Sequence, residues 1–147
     1  MKKFLLAISS AIVIGVILAI FVFKDSYYTL ALTKNKNEII LFQVGVYKEY
    51  ENAIICSSRY SGSVIINEDD LYRVYIGLAH DKEVQIAYRD HFKLNNINYY
   101  ERKEYIKDVC LEEIKKYESL IKKSFNTETY SNINKNLLNY YKDECHD

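Results

Sequence analysis

The segment IILFQVGVY, residues 39–47, carries a strong strand signal, because it is rich in β-branched and aromatic side chains. Side chains alternate between the two faces of a strand, so its second half should present two unlike faces. One face is apolar and consists of Phe42, Val44 and Val46. The other face is polar with one aromatic ring and consists of Gln43, Gly45 and Tyr47. The segment therefore predicts a strand with only one apolar side.

The segments that follow predict an α+β fold in the order β-α-β-β-α-β. Hydrophobic periodicity predicts strands over 63–67, 71–77 and 97–105, and helices over 49–60 and 82–92. This order is the split βαβ, or ferredoxin-like, arrangement, in which two helices pack on one face of an antiparallel sheet. We therefore expect the opposite sheet face to be open and usable for ligands.

Strand 71–77 continues the two-sided pattern. Alternation turns Arg73 and Tyr75 away from the helices, on the same side of the sheet as Gln43 and Tyr47 if the strands pair antiparallel. The acidic run 68–70 just before this strand is predicted to be a solvated turn rather than a catalytic pair. The sequence thus predicts a polar and aromatic cluster on the open face.

The first 24 residues predict a membrane anchor. Phe4 to Phe23 is an uncharged run of 20 residues, which as a helix would span the roughly 30 Å hydrocarbon core of a bilayer. The alternative is a cleaved signal peptide, whose apolar region is usually about 7–15 residues and ends in small residues. Lys2 and Lys3 favour a cytoplasmic N-terminus, so residues 25–147, beginning with a polar linker over 25–37, should lie outside the cytoplasm of a bacterial cell membrane.

The composition argues against several functions. Lys and Arg together number 20 and so do Asp and Glu, so no excess of positive charge favours nucleic-acid binding. No GxSxG, HExxH or phosphate-loop motif occurs, and we expect no enzyme. The three histidines lie far apart, so we expect no metal and no cofactor. The odd number of cysteines, Cys56, Cys110 and Cys145, predicts small buried hydrophobic residues rather than a disulfide framework.

Residues 107–147 form a helical extension in this interpretation. Two amphipathic stretches, 104–123 and 131–141, carry apolar side chains at helical spacing. Such helices either fold back as a hairpin on the domain or offer a docking surface to a partner. The sequence leaves both roles open.

Three blocks of residues 38–106 resemble the SPOR domain, the sporulation-related family that binds bacterial peptidoglycan. The blocks are Phe42-Gln-Val-Gly-Val-Tyr47, Glu51-Asn-Ala53 and Tyr72-Arg-Val-Tyr-Ile-Gly77. The resemblance implies non-catalytic binding of glycan strands stripped of their stem peptides, through the helix-free sheet face. After Gly77 the sequence departs from the family, because Leu78-Ala79-His80 stands where a small residue or Pro and then Phe are usual.

The resemblance also implies site residues. Gln43 matches the Gln of the first-strand motif, and Arg73 matches the Arg of the third-strand block. Tyr75 shares their face by alternation, and Tyr47 stands where the family usually has Phe. Amides, guanidinium groups and planar rings are also the groups that suit the hydroxyls and apolar faces of sugars. We therefore predict a glycan-binding protein of bacterial cell division or sporulation; the alternative is an anchored protein that binds another division or envelope protein.

Overall fold

A computed structural model describes residues 37–124 and 128–146. The strands are β1 (Glu38–Tyr47), β2 (Val64–Glu68), β3 (Leu71–Ala79) and β4 (Tyr100–Tyr105). The helices are α1 (Tyr50–Ser57), α2 (Lys82–Leu94), α3 (Asp108–Ser124) and α4 (Glu128–Tyr140), followed by a π-helical turn at Tyr141–Cys145. The predicted membrane segment and linker lie outside the described residues. Within 37–124 and 128–146, no helix is both long and apolar enough to cross a bilayer.

The four strands form one sheet in the order β2-β3-β1-β4, with antiparallel neighbours throughout. The α+β class and the order β-α-β-β-α-β agree with the prediction. Two elements are shorter than predicted, since α1 ends at Ser57 and β4 begins at Tyr100. The β2–β3 connection is the two residues Asp69 and Asp70, both with positive φ, as a tight type I′ hairpin requires.

α1 and α2 pack on one face of the sheet, as predicted. Phe42 of β1 lies under α2, with its ring centroid 5.2 Å from that of Tyr88 and 5.4 Å from that of Phe92. Gly77 is directly opposite Phe42 on β3, and a Cβ there would lie 2.8 Å from the Tyr88 ring. Gly77 is thus needed because the Tyr88 ring occupies the space that a side chain would fill.

The second face of the sheet is also buried, so the prediction of an open face was wrong. Six of its side chains have at most 6% of their surface exposed: Ile39, Leu41, Val64, Ile66, Tyr75 and Leu78. They belong to the same core cluster as Leu111 and Ile114 of α3 and Leu138 of α4. The physical reason lies in β1, where residues 39–42 are four consecutive apolar residues and therefore need cover on both faces.

The C-terminal helices provide that cover, so of the two roles left open for them, packing in cis is observed. Asn134 of α4 donates to the carbonyl oxygens of Gly62 and Ile76 at 3.1 and 3.0 Å, and it accepts from Tyr88 Oη at 2.6 Å. Because Asn134 is 1% exposed, these three hydrogen bonds satisfy a buried amide and fix α4 beside β3.

A disulfide between Cys110 and Cys145 joins the start of α3 to the end of the π-helical turn. The prediction that all three cysteines are small hydrophobic residues was therefore wrong for these two, while Cys56 is free and buried. The error came from the odd count, because one unpaired cysteine does not prevent the other two from pairing. The bond thus links the two ends of the helical extension.

Glu118 of α3 connects the extension to the start of α2. Its Oε1 accepts from the backbone N–H groups of His80 and Asp81, both at 2.7 Å, while the side chain is buried. Burial disfavours the carboxylate more than these two hydrogen bonds favour it, so the pKa of Glu118 is raised above its ordinary value of 4.5. A carboxyl group whose pKa is higher in the folded state contributes its full stabilisation when the pH is below its ordinary pKa. That stabilisation is lost as the pH rises through the raised pKa.

We therefore expect Glu118→Gln to become progressively more stable relative to the wild type as the pH rises above 4.5. The Gln Oε1 can still accept both hydrogen bonds, but it carries no buried charge. Urea unfolding of both proteins from about pH 4 to about pH 7 measures the difference in free energy of unfolding. A difference that stays constant across this range would show that Glu118 does not titrate with a raised pKa.

Candidate functional site

Two irregularities in the pairing of β1 with β3 determine which side chains share a face. The first shift, between Phe42 and Gln43, leaves Ile76 as an extra residue on β3, and the second, between Gln43 and Gly45, leaves Val44 as an extra residue on β1. Such a bulge reverses the alternation of the residues beyond it. The expectation that Gln43 and Tyr47 share a face was therefore wrong, because simple alternation takes no account of the extra residue.

Tyr47 faces α1, on the opposite side of the sheet from Gln43. It packs against the cluster of Ala53, Cys56 and Val74, and its ring lies over Gly45, where a Cβ atom would be only 2.5 Å from the ring. The contact with the Cys56 thiol, followed by burial, raises the pKa of the Tyr47 phenol. Tyr47 is thus separated from the other predicted site residues.

Gln43, Arg73 and Tyr75 lie together on the second face, as predicted. Arg73 Nη1 donates to Gln43 Oε1 at 3.3 Å, and Gln43 pairs directly with Tyr75 across the strands. Tyr75 is fully buried and donates from Oη to Glu68 Oε1 at 3.0 Å. Burial, and then the Glu68 carboxylate, raises the pKa of Tyr75 well above its ordinary range. Tyr75 therefore holds Glu68 in place from within the core and cannot contact a ligand in this conformation.

Glu68 is the centre of the polar cluster on this face. Its side chain is 4% exposed, although we expected a solvated turn residue. The carboxylate forms ion pairs with Arg73, whose Nε lies 3.0 Å from Oε2, and with Arg102 Nη1. His146 Nε2 lies 3.1 Å from Oε1. The correction follows from the hairpin, since only Asp69 and Asp70 form the turn while Glu68 is still on β2, facing the sheet's second side.

Part of the second face stays accessible at the end of the sheet where β1 finishes. We call it the sheet strip; its members are Gln43, Val46, Arg73, Tyr100 and Arg102. Tyr100 pairs with Gln43, and Val46 pairs with Arg73, so these side chains share one side of the sheet. Tyr100 is 66% exposed and Val46 is 40% exposed, whereas only 9% of Gln43 is exposed.

The sheet strip combines an exposed aromatic ring with two partly exposed guanidinium groups. Arg73 and Arg102 expose 20% and 29% of their side chains and are held in place by Glu68. Fixed guanidinium groups beside a planar ring can donate several hydrogen bonds to hydroxyl groups while the ring covers an apolar sugar face. Tyr100 and Arg102 could not be predicted from the sequence, because their place beside Gln43 depends on the register of β4 against β1.

A second exposed surface lies on the outside of α1. We call it the α1 outer face; its members are Tyr50, Ile54 and Ile55, of which 48%, 46% and 56% are exposed. The buried residues of α1 are Ala53 and Cys56. Residues 53–56 are all apolar, so periodicity alone could not identify the buried side of this helix.

No family model matches this sequence, and no curated protein matches it either. The chain is similar to the solution structure of the peptidoglycan binding domain of CwlC, a cell wall lytic enzyme of B. subtilis. The two sequences are 25% identical over 46% of this chain and 90% of that domain, and the TM-score is 0.37.

Proposed function

We propose that this chain is a membrane-anchored, non-catalytic protein that binds peptidoglycan glycan strands through the sheet strip. The observation that supports the proposal best is the hydrogen bond from Arg73 to Gln43 at 3.3 Å, beside the exposed ring of Tyr100. Gln43 and Arg73 are the two residues that match the motifs of the SPOR resemblance. Tyr100 adds the aromatic surface that Tyr75 and Tyr47 do not provide.

The proposal places the folded part outside the cytoplasm of a bacterial cell, where it would act in division or sporulation. The disulfide between Cys110 and Cys145 supports this location, because disulfides persist in oxidising compartments and are rare in the cytosol. The uncharged run from Phe4 to Phe23 is the anchor in this proposal.

Sedimentation with purified sacculi tests the proposal. We expect the full-length chain, in a mild detergent, to sediment with sacculi, and more strongly after an amidase has removed the stem peptides. Tyr100→Ala combined with Arg73→Gln should weaken binding by about tenfold or more, because a hydrogen bond to a charged group contributes roughly 1.5–3 kcal/mol. A control pair on the opposite side of β4, Lys103→Ala with Tyr105→Ala, should bind like the wild type.

The control is matched because Tyr105 is 51% exposed and the Lys103 side chain is 64% exposed, while both residues belong to the same strand as Tyr100. Thermal unfolding of each variant shows whether its fold is retained. Sedimentation that is absent in the wild type, or that falls equally in both variant pairs, would contradict binding by the sheet strip.

The alternative function is that of an anchored protein that binds another division or envelope protein. The α1 outer face supports it, because three neighbouring apolar side chains remain about half exposed there. A membrane protein that co-purifies with the wild type but not with Ile55→Glu, in the absence of sacculus binding, would favour this alternative. Ile86→Glu is a matched control, since Ile86 on α2 is 55% exposed.

A further inference from the structure

A cleft of about 540 Å³ lies on the side of the molecule where α4 begins. It is bordered by the connection from α1 to β2, by the C-terminal end of α2, and by the first turn of α4. Its size falls within the range of about 300–1,000 Å³ that is usual for small-molecule sites. The cleft is distinct from the sheet strip, since the residues that line the two do not overlap.

The helical extension creates this cleft. Ser131 of α4 hydrogen-bonds to Ser61 through their hydroxyl groups at 2.6 Å, and Asn134 donates to the Gly62 carbonyl oxygen at 3.1 Å. These contacts hold α4 against the α1–β2 connection and fix the width of the opening. Because α4 lies outside residues 38–106, the segment that resembles the SPOR family cannot form this site alone.

Aromatic residues form part of the wall of the cleft. Tyr60, Phe92 and Tyr130 line it, and the Tyr130 ring packs at 5.8 Å from the ring of His91. Phe92 and Tyr130 are 2% and 9% exposed, so their rings are fixed by the core behind them. Tyr60 is only partly buried in front of them, so its ring can cover the apolar face of a sugar.

The rim of the cleft is polar and carries no carboxylate among the described residues that line it. Arg59 is exposed there and supplies a guanidinium group. Asn95 and Asn96 are exposed beside it, and Asn95 uses one amide hydrogen on the His91 carbonyl oxygen at 2.8 Å, which fixes its orientation. A guanidinium group favours a carboxylate, and the two amides can both donate to and accept from hydroxyl or acetamido groups.

We infer that this cleft binds a sugar that carries a carboxylate, with the carboxylate on Arg59 and the sugar ring against Tyr60. The inference rests on the proposed function in one respect, since the glycan strand is the source of the ligand. N-acetylmuramic acid has the required chemistry, because removal of the stem peptide leaves its lactyl carboxylate free. The cleft then distinguishes stripped from unstripped strands, whereas the sheet strip holds the polymer.

Two monosaccharides test the inference directly. N-acetylmuramic acid differs from N-acetylglucosamine by the lactyl group with its carboxylate, so the pair isolates the contribution of the charge. We expect N-acetylmuramic acid to shift the backbone NMR signals of Arg59, Asn95 and Ser131 in the full-length chain. N-acetylglucosamine should bind at least about tenfold more weakly, as should N-acetylmuramic acid to Arg59→Gln.

Lys116→Gln is the matched control, because Lys116 is a 72% exposed cation on α3, outside both the cleft and the sheet strip, and this variant should bind N-acetylmuramic acid like the wild type. Equal binding of the two sugars, shifts confined to the sheet strip, or unchanged binding to Arg59→Gln would overturn the inference. If the chain fails to sediment with sacculi but these shifts occur, the proposed function fails and the cleft remains a sugar site. If sacculi bind without these shifts, only the inference about the cleft fails.

Discussion

A chain that ends at Lys107 is expected to lose its cooperative fold, although it contains every residue of the SPOR resemblance. The truncation removes α3 and α4 and exposes the six buried side chains of the second sheet face: Ile39, Leu41, Val64, Ile66, Tyr75 and Leu78. Burial of one large apolar side chain contributes about 1.5–3 kcal/mol, so the loss is on the order of 10 kcal/mol. This equals the whole stability of a typical domain, about 5–15 kcal/mol.

The measurement is the dispersion of NMR signals and the presence of a cooperative unfolding transition in the truncated chain and in the full-length chain. A truncated chain that unfolds cooperatively and still sediments with sacculi would contradict the prediction. That result would mean that the helices are a removable cover, and that Gln43 and Tyr75 lie on a face that can open to a ligand.

The order of the strands and helices could be predicted because each element has its own hydrophobic periodicity and end signals in the sequence. Asp81 directly precedes the helix predicted over 82–92, and its carboxylate accepts from the backbone N–H groups of Glu83 and Val84 at 2.8 and 3.2 Å. The cover on the second sheet face was missed, because the two-sided pattern of residues 42–47 was extended to the whole of β1. The apolar run over 39–42 was the signal that both faces are buried.

The candidate site was predictable only in part. Gln43 and Arg73 were placed together correctly, since Gln43 comes before the extra residue Val44 and its cross-strand partner Tyr75 is two residues from Arg73 on β3. Tyr47 was misplaced because a bulge has no reliable signature in a single sequence, and Tyr100 was missed because strand register is a tertiary property. The cleft beside α4 depends on how distant segments pack, so no local pattern could indicate it.

Loss of the disulfide is expected to lower the free energy of unfolding by about 3–4 kcal/mol, according to the chain-entropy relation for a loop of this length. Cys110 and Cys145 are 35 residues apart, so the bond removes many conformations from the unfolded chain. The double variant Cys110→Ser with Cys145→Ser should unfold at a lower urea concentration than the wild type. Because Cys145 directly precedes His146, loss of the bond should also weaken the contact between His146 and Glu68.

Reductant provides the matched comparison. It should lower the unfolding midpoint of the wild type and of Cys56→Ala, because Cys56 is the free cysteine among the described residues. It should leave the double serine variant unchanged, since that variant has no bond to reduce. A wild-type midpoint that reductant does not move would mean that α3 and the π-helical turn are held by packing alone, and the argument for an oxidising compartment would lose its support.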